Sequence, residues 1–313
     1  MTEVIRTERK AAVLTLSSLA CLSRVPTVNL TAGCAHECHY CYARGYQTHP
    51  GVGKVRFYTN TLAKLKEELP RKRKKPAMVY FSPSSDPFQP IPEVLQMTYD
   101  VFRFLLESKI GVAFVTKGRI PEQHRDLLAA HPPLVQGRIG LITLDPEITA
   151  IFEPAAPAPE VRIAQAAALI GADIPVEARL DPILPGVADD PGCLESLCAA
   201  LACIGVRKIA ASVLFLRPAV TGSLRRYVKD KRPLNRMLDC FAGAESLAIH
   251  AGASRVIALP ASARLEIMQR LASIAQRYGM DVLVCACKNP DISNGSCHIS
   301  GRWPPLAGGD RQL

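Results

Sequence analysis

Six short runs of β-branched or apolar residues alternate with amphipathic stretches between residues 27 and 215. This alternation constrains the fold more than any other feature of the 313-residue chain. The strand candidates are "TVNL", "AMVYFS" (77–82), "GVAFVT" (111–116), "RIGLIT" (138–143), "PVEARLD" (175–181) and "KIAASVLF" (208–215). Between them lie "NTLAKLKEEL", "EVLQMTYDVFRFLLES", "PEQHRDLLAAH", "PEVRIAQAAALIGA" and "PGCLESLCAALACIG". Strands that alternate with helices imply parallel βαβ units, and six in succession imply a partial or full β/α barrel rather than an open sheet. Polar segments such as "SPSSDP", "TKGR", "TLDPE" and "RLDPILPG" follow the strands directly. They mark the C-terminal rim, where such barrels place their chemistry.

The expected organisation is α/β: an N-terminal extension over 1–24, a partial (β/α)6 TIM-like barrel over 25–217, and a C-terminal α/β region over 218–313 with a Cys-rich loop at 285–297. In that last region "PLNRMLDCFAGAESLAIHAG" and "SARLEIMQRLASIAQRYG" read as helices, and "RVIALP" and "MDVLVCAC" as strands that either complete the barrel or form a separate lobe. "EPAAPAPE" (153–160) reads as a Pro/Ala linker, and the last dozen residues as loosely ordered.

The sequence contains 11 cysteines, an odd count in a long chain whose first residues lack a signal-peptide apolar region, so a disulfide framework is not expected and a cytoplasmic location is. No apolar run reaches the roughly 20 residues that span a membrane. Cys193, Cys198 and Cys203 are five apart, which does not hold one helix face, and they read as small buried hydrophobes. The net charge of +10 suits an anionic partner. The basic run "RKRKK" (71–75) lacks interleaved aromatics and reads as a solvated connector.

The stretch "NLTAGCAHECHYCYARG" sets Cys34, Cys38 and Cys41 at gaps of three and two residues. A structural zinc site uses four protein ligands, and a typical ferredoxin [4Fe–4S] site also uses four. Three cysteines on one tight loop can hold three irons of a cubane and leave the fourth open to an exogenous bidentate ligand.

The stretch resembles the Cys-x3-Cys-x-aromatic-Cys signature of radical S-adenosylmethionine (SAM) enzymes, with Tyr40 as the aromatic. Together with "FSPSSDPFQP", "FVTKGR" and "ARLDPILPG", it is similar to the spore photoproduct lyase branch of that superfamily over residues 25 to 217. The resemblance implies one [4Fe–4S] cluster on Cys34, Cys38 and Cys41, and SAM cleaved to a 5′-deoxyadenosyl radical. It also implies Tyr40 against the SAM adenine, Ser85 and Asp86 near the methionyl amine, and Lys117 and Thr143 near the carboxylate or ribose. Arg179 is a candidate contact to substrate or SAM carboxylate, with a surface ion pair as the alternative; Tyr40 and Tyr42 match the family's radical-relay tyrosines, with core as the alternative for Tyr42. An electron donor such as flavodoxin or ferredoxin is implied.

Two departures from that branch stand out. The family's hydrogen-donor cysteine near the second strand is absent: "YFSPSSDPFQP" holds none, and none occurs between Cys41 and Cys193. Conversely, "VCACKNPDISNGSCHISG" places Cys285, Cys287 and Cys297 after an apolar strand. They read as ligands of an auxiliary iron–sulfur cluster with an open iron or a fourth ligand such as His298 or Cys240, as a replacement hydrogen donor (Cys297), or as structural thiols or a zinc site. Alternate strand residues share a face, so Cys285 and Cys287 can meet one metal. The expected function is hydrogen abstraction from an anionic substrate of nucleoside, nucleotide or nucleic-acid type. The alternatives are modification of a peptide or small metabolite with an auxiliary cluster, and a non-catalytic iron–sulfur or zinc sensor.

Overall fold

The computed structural model describes residues 2–17, 20–249 and 254–297. In chain order the strands are β1 (Glu3–Thr7), β2 (Thr15–Leu16), β3 (Pro26–Val28), β4 (Thr31–Ala32), β5 (Lys54–Tyr58), β6 (Met78–Phe81), β7 (Gly111–Thr116), β8 (Val135–Gly140), β9 (Val176–Ile183), β10 (Lys208–Val213), β11 (Glu245–Ile249), β12 (Ser254–Ala258) and β13 (Asp281–Val284). The helices are α1 (Thr61–Arg71), α2 (Pro92–Glu107), α3 (Glu122–Ala129), α4 (Pro146–Phe152), α5 (Pro159–Gly171), α6 (Pro191–Cys203), α7 (Pro218–Tyr227), α8 (Lys231–Asp239) and α9 (Ala261–Arg277).

The main sheet runs β13-β10-β9-β8-β7-β6-β3-β2, parallel throughout except for the antiparallel edge strand β2. Six of its strands are those the sequence pattern marks, in sequential order, as a partial barrel requires. β8 starts and ends three residues earlier than "RIGLIT", because the chain leaves the ladder to form the Thr143–Asp145 turn that starts α4. β13 pairs with β10 and adds a seventh parallel strand, so a boundary at residue 217 divides elements that share one sheet. A smaller sheet, β1-β5-β4, stands beside the barrel.

Five helices, α2, α4, α5, α6 and α7, open on proline. There the fixed φ suits the first turn, and the missing N–H has no intrahelical partner to lose. Asp145 and Asp190 precede two of these prolines and accept backbone N–H groups of the first turn, which fixes where α4 and α6 begin.

Period-two alternation sorts the strands' side chains. Val79, Phe81, Val112 and Phe114 pack outward under the helices, joined by Phe88 and Phe102. The Phe81–Phe102 and Phe88–Phe114 rings meet edge-to-face at 4.6 and 5.3 Å. Truncating any of these rings to Ala is a cavity of about 3–5 kcal/mol. A second core lies under α6 and α9, with Leu180, Ile209, Leu197 and Leu271. The alternate residues, Met78, Tyr80, Ala113 and Val115, face the barrel interior instead.

Some expectations are corrected. "ESLAI", expected within a helix, is β11, paired antiparallel with β12. "EPAAPAPE" is a tight connector between α4 and α5, anchored by the fully buried Glu153. Of the three cysteines on α6, Cys198 alone is in the core; Cys193 is half-buried and Cys203 exposed. The "RKRKK" run is exposed, as a solvated connector should be. His298 and the final dozen residues lie outside the described residues. Among the described residues, no helix is long and apolar enough to cross a membrane.

Candidate active site and cysteine centres

Cys34, Cys38 and Cys41 sit half-buried on the loop after β4, at the barrel's C-terminal rim. Polar side chains clamp this loop at several points. Gln89, fully buried, accepts the Ala35 N–H at 2.9 Å and donates to Thr31 Oγ1 and the Asp86 carbonyl. Arg44 donates to the Cys38 and Glu37 carbonyls and pairs with the Glu37 carboxylate at 2.8 Å. The His39 N–H donates to the Phe152 carbonyl. From the C-terminal region, Tyr227 at the end of α7 stacks on His39 with centroids 5.9 Å apart and receives the Arg44 guanidinium at 5.7 Å. Burial pushes all three thiols up, so they are neutral without a bound cation, and metal binding would release protons.

Asp86 lies beneath the loop. Its carboxylate accepts from Phe88 N, Thr116 Oγ1 and Lys117 N, each at 2.8 Å, and stands 3.4 Å from His36 Nε2. Burial opposes its charge, but His36 and the N–H donors outweigh it and hold the carboxyl below its usual range. The bond to Phe88 N is an Asx-turn. Asp86 thereby joins the ends of β6 and β7 to the cysteine loop.

Glu153 forms a second hub. It accepts from Tyr40 Oη, pairs with Lys117 Nζ at 2.9 Å and with Arg162 at 2.5 Å. Burial opposes its ionisation, and the two cations prevail. Tyr40 is buried in a core cluster with Ile142, Leu184 and Val187, with Lys117 Nζ 5.7 Å from its ring centroid. In this position Tyr40 supports the cysteine loop from below. Ser85 bonds Thr31, and buried Thr143 accepts the Asp145 N–H at 3.1 Å. All five residues expected near SAM thus have protein partners. Gln89, Glu153 and Arg162 escaped the sequence reading; Glu153 sits in a segment whose prolines and alanines look like a linker.

A ladder of charge lines the barrel interior. Arg138 donates to Glu177 at 3.1 Å, Arg179 pairs with Asp181 at 2.9 Å and stands 3.7 Å from Glu177, and Lys288 reaches Asp181 at 2.5 Å. Burial would raise the Asp181 carboxyl, but Lys288 and Arg179 bring it down to about 2. Arg179 is thus in an ion pair, though an interior one. Tyr42, beside Cys41, is partly exposed, donates to the Pro83 carbonyl, and lies 5.9 Å from Lys288 Nζ.

Cys285, Cys287 and Cys297 meet a partner the sequence reading did not assign, Cys21. The four sulfurs all lie within 4.8 Å of one another and all four residues are buried. Cys240, considered as a fourth ligand, is exposed and elsewhere, with Sγ 3.3 Å from the Arg236 carbonyl. Cys297, considered as a hydrogen donor, is enclosed by the other thiols, its Sγ 2.9 Å from that of Cys285. The separation of Cys21 from Cys287 by 266 positions hides this partnership from any spacing motif. Among the described residues, no other set of three such ligand atoms lies this close together, the Cys34–Cys38–Cys41 triplet included.

No family model matches the chain. Among curated proteins it is similar to uncharacterised proteins of Mycobacterium tuberculosis and Mycobacterium bovis, 28% identical over 222 residues, which is 68% of this chain and 65% of theirs. The match therefore spans less than two thirds of those relatives' length. Among solved structures, a mutant spore photoproduct lyase with dinucleoside spore photoproduct superposes with TM-score 0.64 at 17% identity, over 89% of this chain and 81% of that one. Another mutant, with bound AdoMet and dinucleoside spore photoproduct, gives TM-score 0.63 at 16% identity over the same shares. A radical SAM methyltransferase from Sphaerobacter thermophilus gives 0.51 at 17% identity, over 83% and 66%. The chain has the partial-barrel fold of spore photoproduct lyase.

Proposed function

We propose that this chain is a radical SAM enzyme that abstracts hydrogen from an anionic substrate of the nucleoside or nucleotide class. The observation that carries the reading is the three-thiol loop at the rim of a spore photoproduct lyase-like barrel, held by hydrogen bonds from Gln89 and Arg44. The donor set fits a [4Fe–4S] cluster with one open iron: three thiols on one short loop. When bound, cluster and SAM together supply a reductively generated carbon radical that removes a hydrogen atom.

The chain's own residues do the positioning. Asp86, Gln89 and Arg44 hold the loop. Lys117, whose buried ammonium pairs with Glu153 beside the loop, suits a carboxylate of SAM. Ser85 and Thr143 sit at the same rim and are the further polar candidates there. Tyr42, partly exposed and next to Cys41, suits a radical relay. The interior ladder opposes three cations, Arg138, Arg179 and Lys288, to two carboxylates, Glu177 and Asp181. This excess of positive charge favours an anionic substrate. The name-giving lyase is seen with a dinucleoside, which supports a nucleoside-like one here. With no cysteine in "YFSPSSDPFQP", the substrate radical is quenched or transformed by a route other than that branch's cysteine donor. Flavodoxin or ferredoxin is the proposed electron source.

The test is anaerobic reconstitution with iron and sulfide, followed by SAM and dithionite, with chromatography for 5′-deoxyadenosine. Wild type is expected to form it, and the triple variant Cys34→Ala, Cys38→Ala, Cys41→Ala to form none. Wild type that carries a four-iron cluster yet never cleaves SAM would overturn the reading in favour of a non-catalytic iron–sulfur protein.

A further inference from the structure

We propose that Cys21, Cys285, Cys287 and Cys297 bind a single divalent metal ion as four thiolates, zinc or ferrous iron, and that this ion clasps the two open edges of the barrel together. The inference does not rest on the radical SAM reading, since it concerns other residues and another kind of centre.

Four thiolates on one tetrahedral ion with metal–sulfur bonds of about 2.3 Å lie at the corners of a tetrahedron with an edge of about 3.8 Å. The closest separations fall at or below that edge, 2.9 Å for Cys285–Cys297, 3.1 Å for Cys285–Cys287 and 3.6 Å for Cys21–Cys287, and none exceeds 4.8 Å. A cubane cluster would place each thiolate on a different iron and so hold the sulfurs farther apart. The Cys34–Cys38–Cys41 triplet, which does not converge in this way, makes the contrast within the same molecule. Cysteines packed only as small hydrophobes would keep nonbonded separations, about 3.5–4.0 Å even for the smaller carbon atom. Two of these contacts are tighter.

The surroundings are those of a built site. The chain turns sharply after β13, with the N–H groups of Lys288 and Asn289 both donating to the Cys285 carbonyl. Asn294 then binds the returning segment to the strand, accepting the Val284 N–H and donating to the Val282 carbonyl, each at 2.8 Å. This brings Cys297 back beside Cys285, whose sulfur accepts the Cys297 N–H at 3.2 Å. Outer-shell N–H donors of this kind orient thiolates. Leu22, Val25, Met78, Tyr80 and Ala113 enclose the quartet in apolar surface. A set of four protein ligands with no open position is the structural rather than the catalytic pattern.

The topology says what the ion is for. β13 and β2 are the two ends of the main sheet and do not pair. Cys21 lies in the connection from β2 to β3, and Cys285 directly follows β13. Metal bonds across the gap replace the missing ladder. They also fix Lys288, next in chain to Cys287, where it meets Asp181 and Tyr42.

The test uses the full-length triple variant lacking Cys34, Cys38 and Cys41, so that the rim cluster is absent and no activity is read. Zinc, iron and acid-labile sulfide are counted per chain, and Co2+ is titrated into metal-free protein with optical detection. The expected result is one zinc or iron without sulfide, and the intense visible bands of tetrahedral cobalt thiolate at one equivalent. Cys21→Ser and Cys297→Ser should each weaken Co2+ binding at least tenfold, while Cys203→Ser leaves it unchanged. If the serine variants do not fold, the metal count and cobalt spectrum of the parent decide alone. About four irons with matching sulfide, or no metal with the cysteines free or in disulfides, would overturn the proposal.

Discussion

Glu153 gathers Tyr40, Lys117 and Arg162 on one carboxylate with no exposed surface. Replacing it by Gln leaves two cations facing a neutral amide, and removing one member of a buried ionic set is costly. Glu153→Gln is expected to lose about 3 kcal/mol of stability in urea denaturation. The pH dependence has a definite sign. The folded-state carboxyl titrates below its unfolded value, so its contribution is fully present above the ordinary carboxylate range and vanishes as pH falls through the folded value. The gap between wild type and variant should therefore be constant at neutral pH and close in acid; a gap that widens in acid would contradict this assignment. None of this was legible in "EPAAPAPE", because a buried glutamate and a solvated one look alike until Lys117 and Arg162 are folded against it. The cysteine triplet was legible, because all three thiols lie within one short loop. Cys21 was not, because only the fold brings it to Cys287.

At the scale of elements, the six alternating strands were readable because each parallel strand is an apolar run flanked by turn residues. "ESLAI" misled because five residues fit either periodicity, and pairing with β12 decides. "MDVLVCAC" was recognised as a strand, but its place beside β10 is a property of the closed sheet. The rim segments are packed so closely that backbone meets backbone. A Cβ at Gly118, just past β7, would fall 2.2 Å from the Phe88 carbonyl oxygen. Gly118→Ala must therefore push apart the segments that carry Asp86 and Lys117. The expected cost is about 2 kcal/mol by thermal or urea unfolding, with a fall in iron retained by the rim loop after reconstitution. A variant as stable and as iron-loaded as wild type would mean that this close approach does not hold the site.

At the scale of the whole molecule, the chain places two sulfur centres at one barrel and gives them different geometries. The quartet's sulfurs converge on a point beside the open edges of the sheet; the triplet lies along a braced loop, where three thiolates would leave one coordination place of a bound cubane open. The central claim is that this place takes SAM. The most direct measurement is the electron paramagnetic resonance spectrum of the reduced, reconstituted protein with and without SAM. Coordination of the amino and carboxylate groups at the open iron predicts a clear change in the cluster signal on adding SAM, lost in Lys117→Ala if that ammonium holds the carboxylate. Identical spectra at saturating SAM would contradict the account.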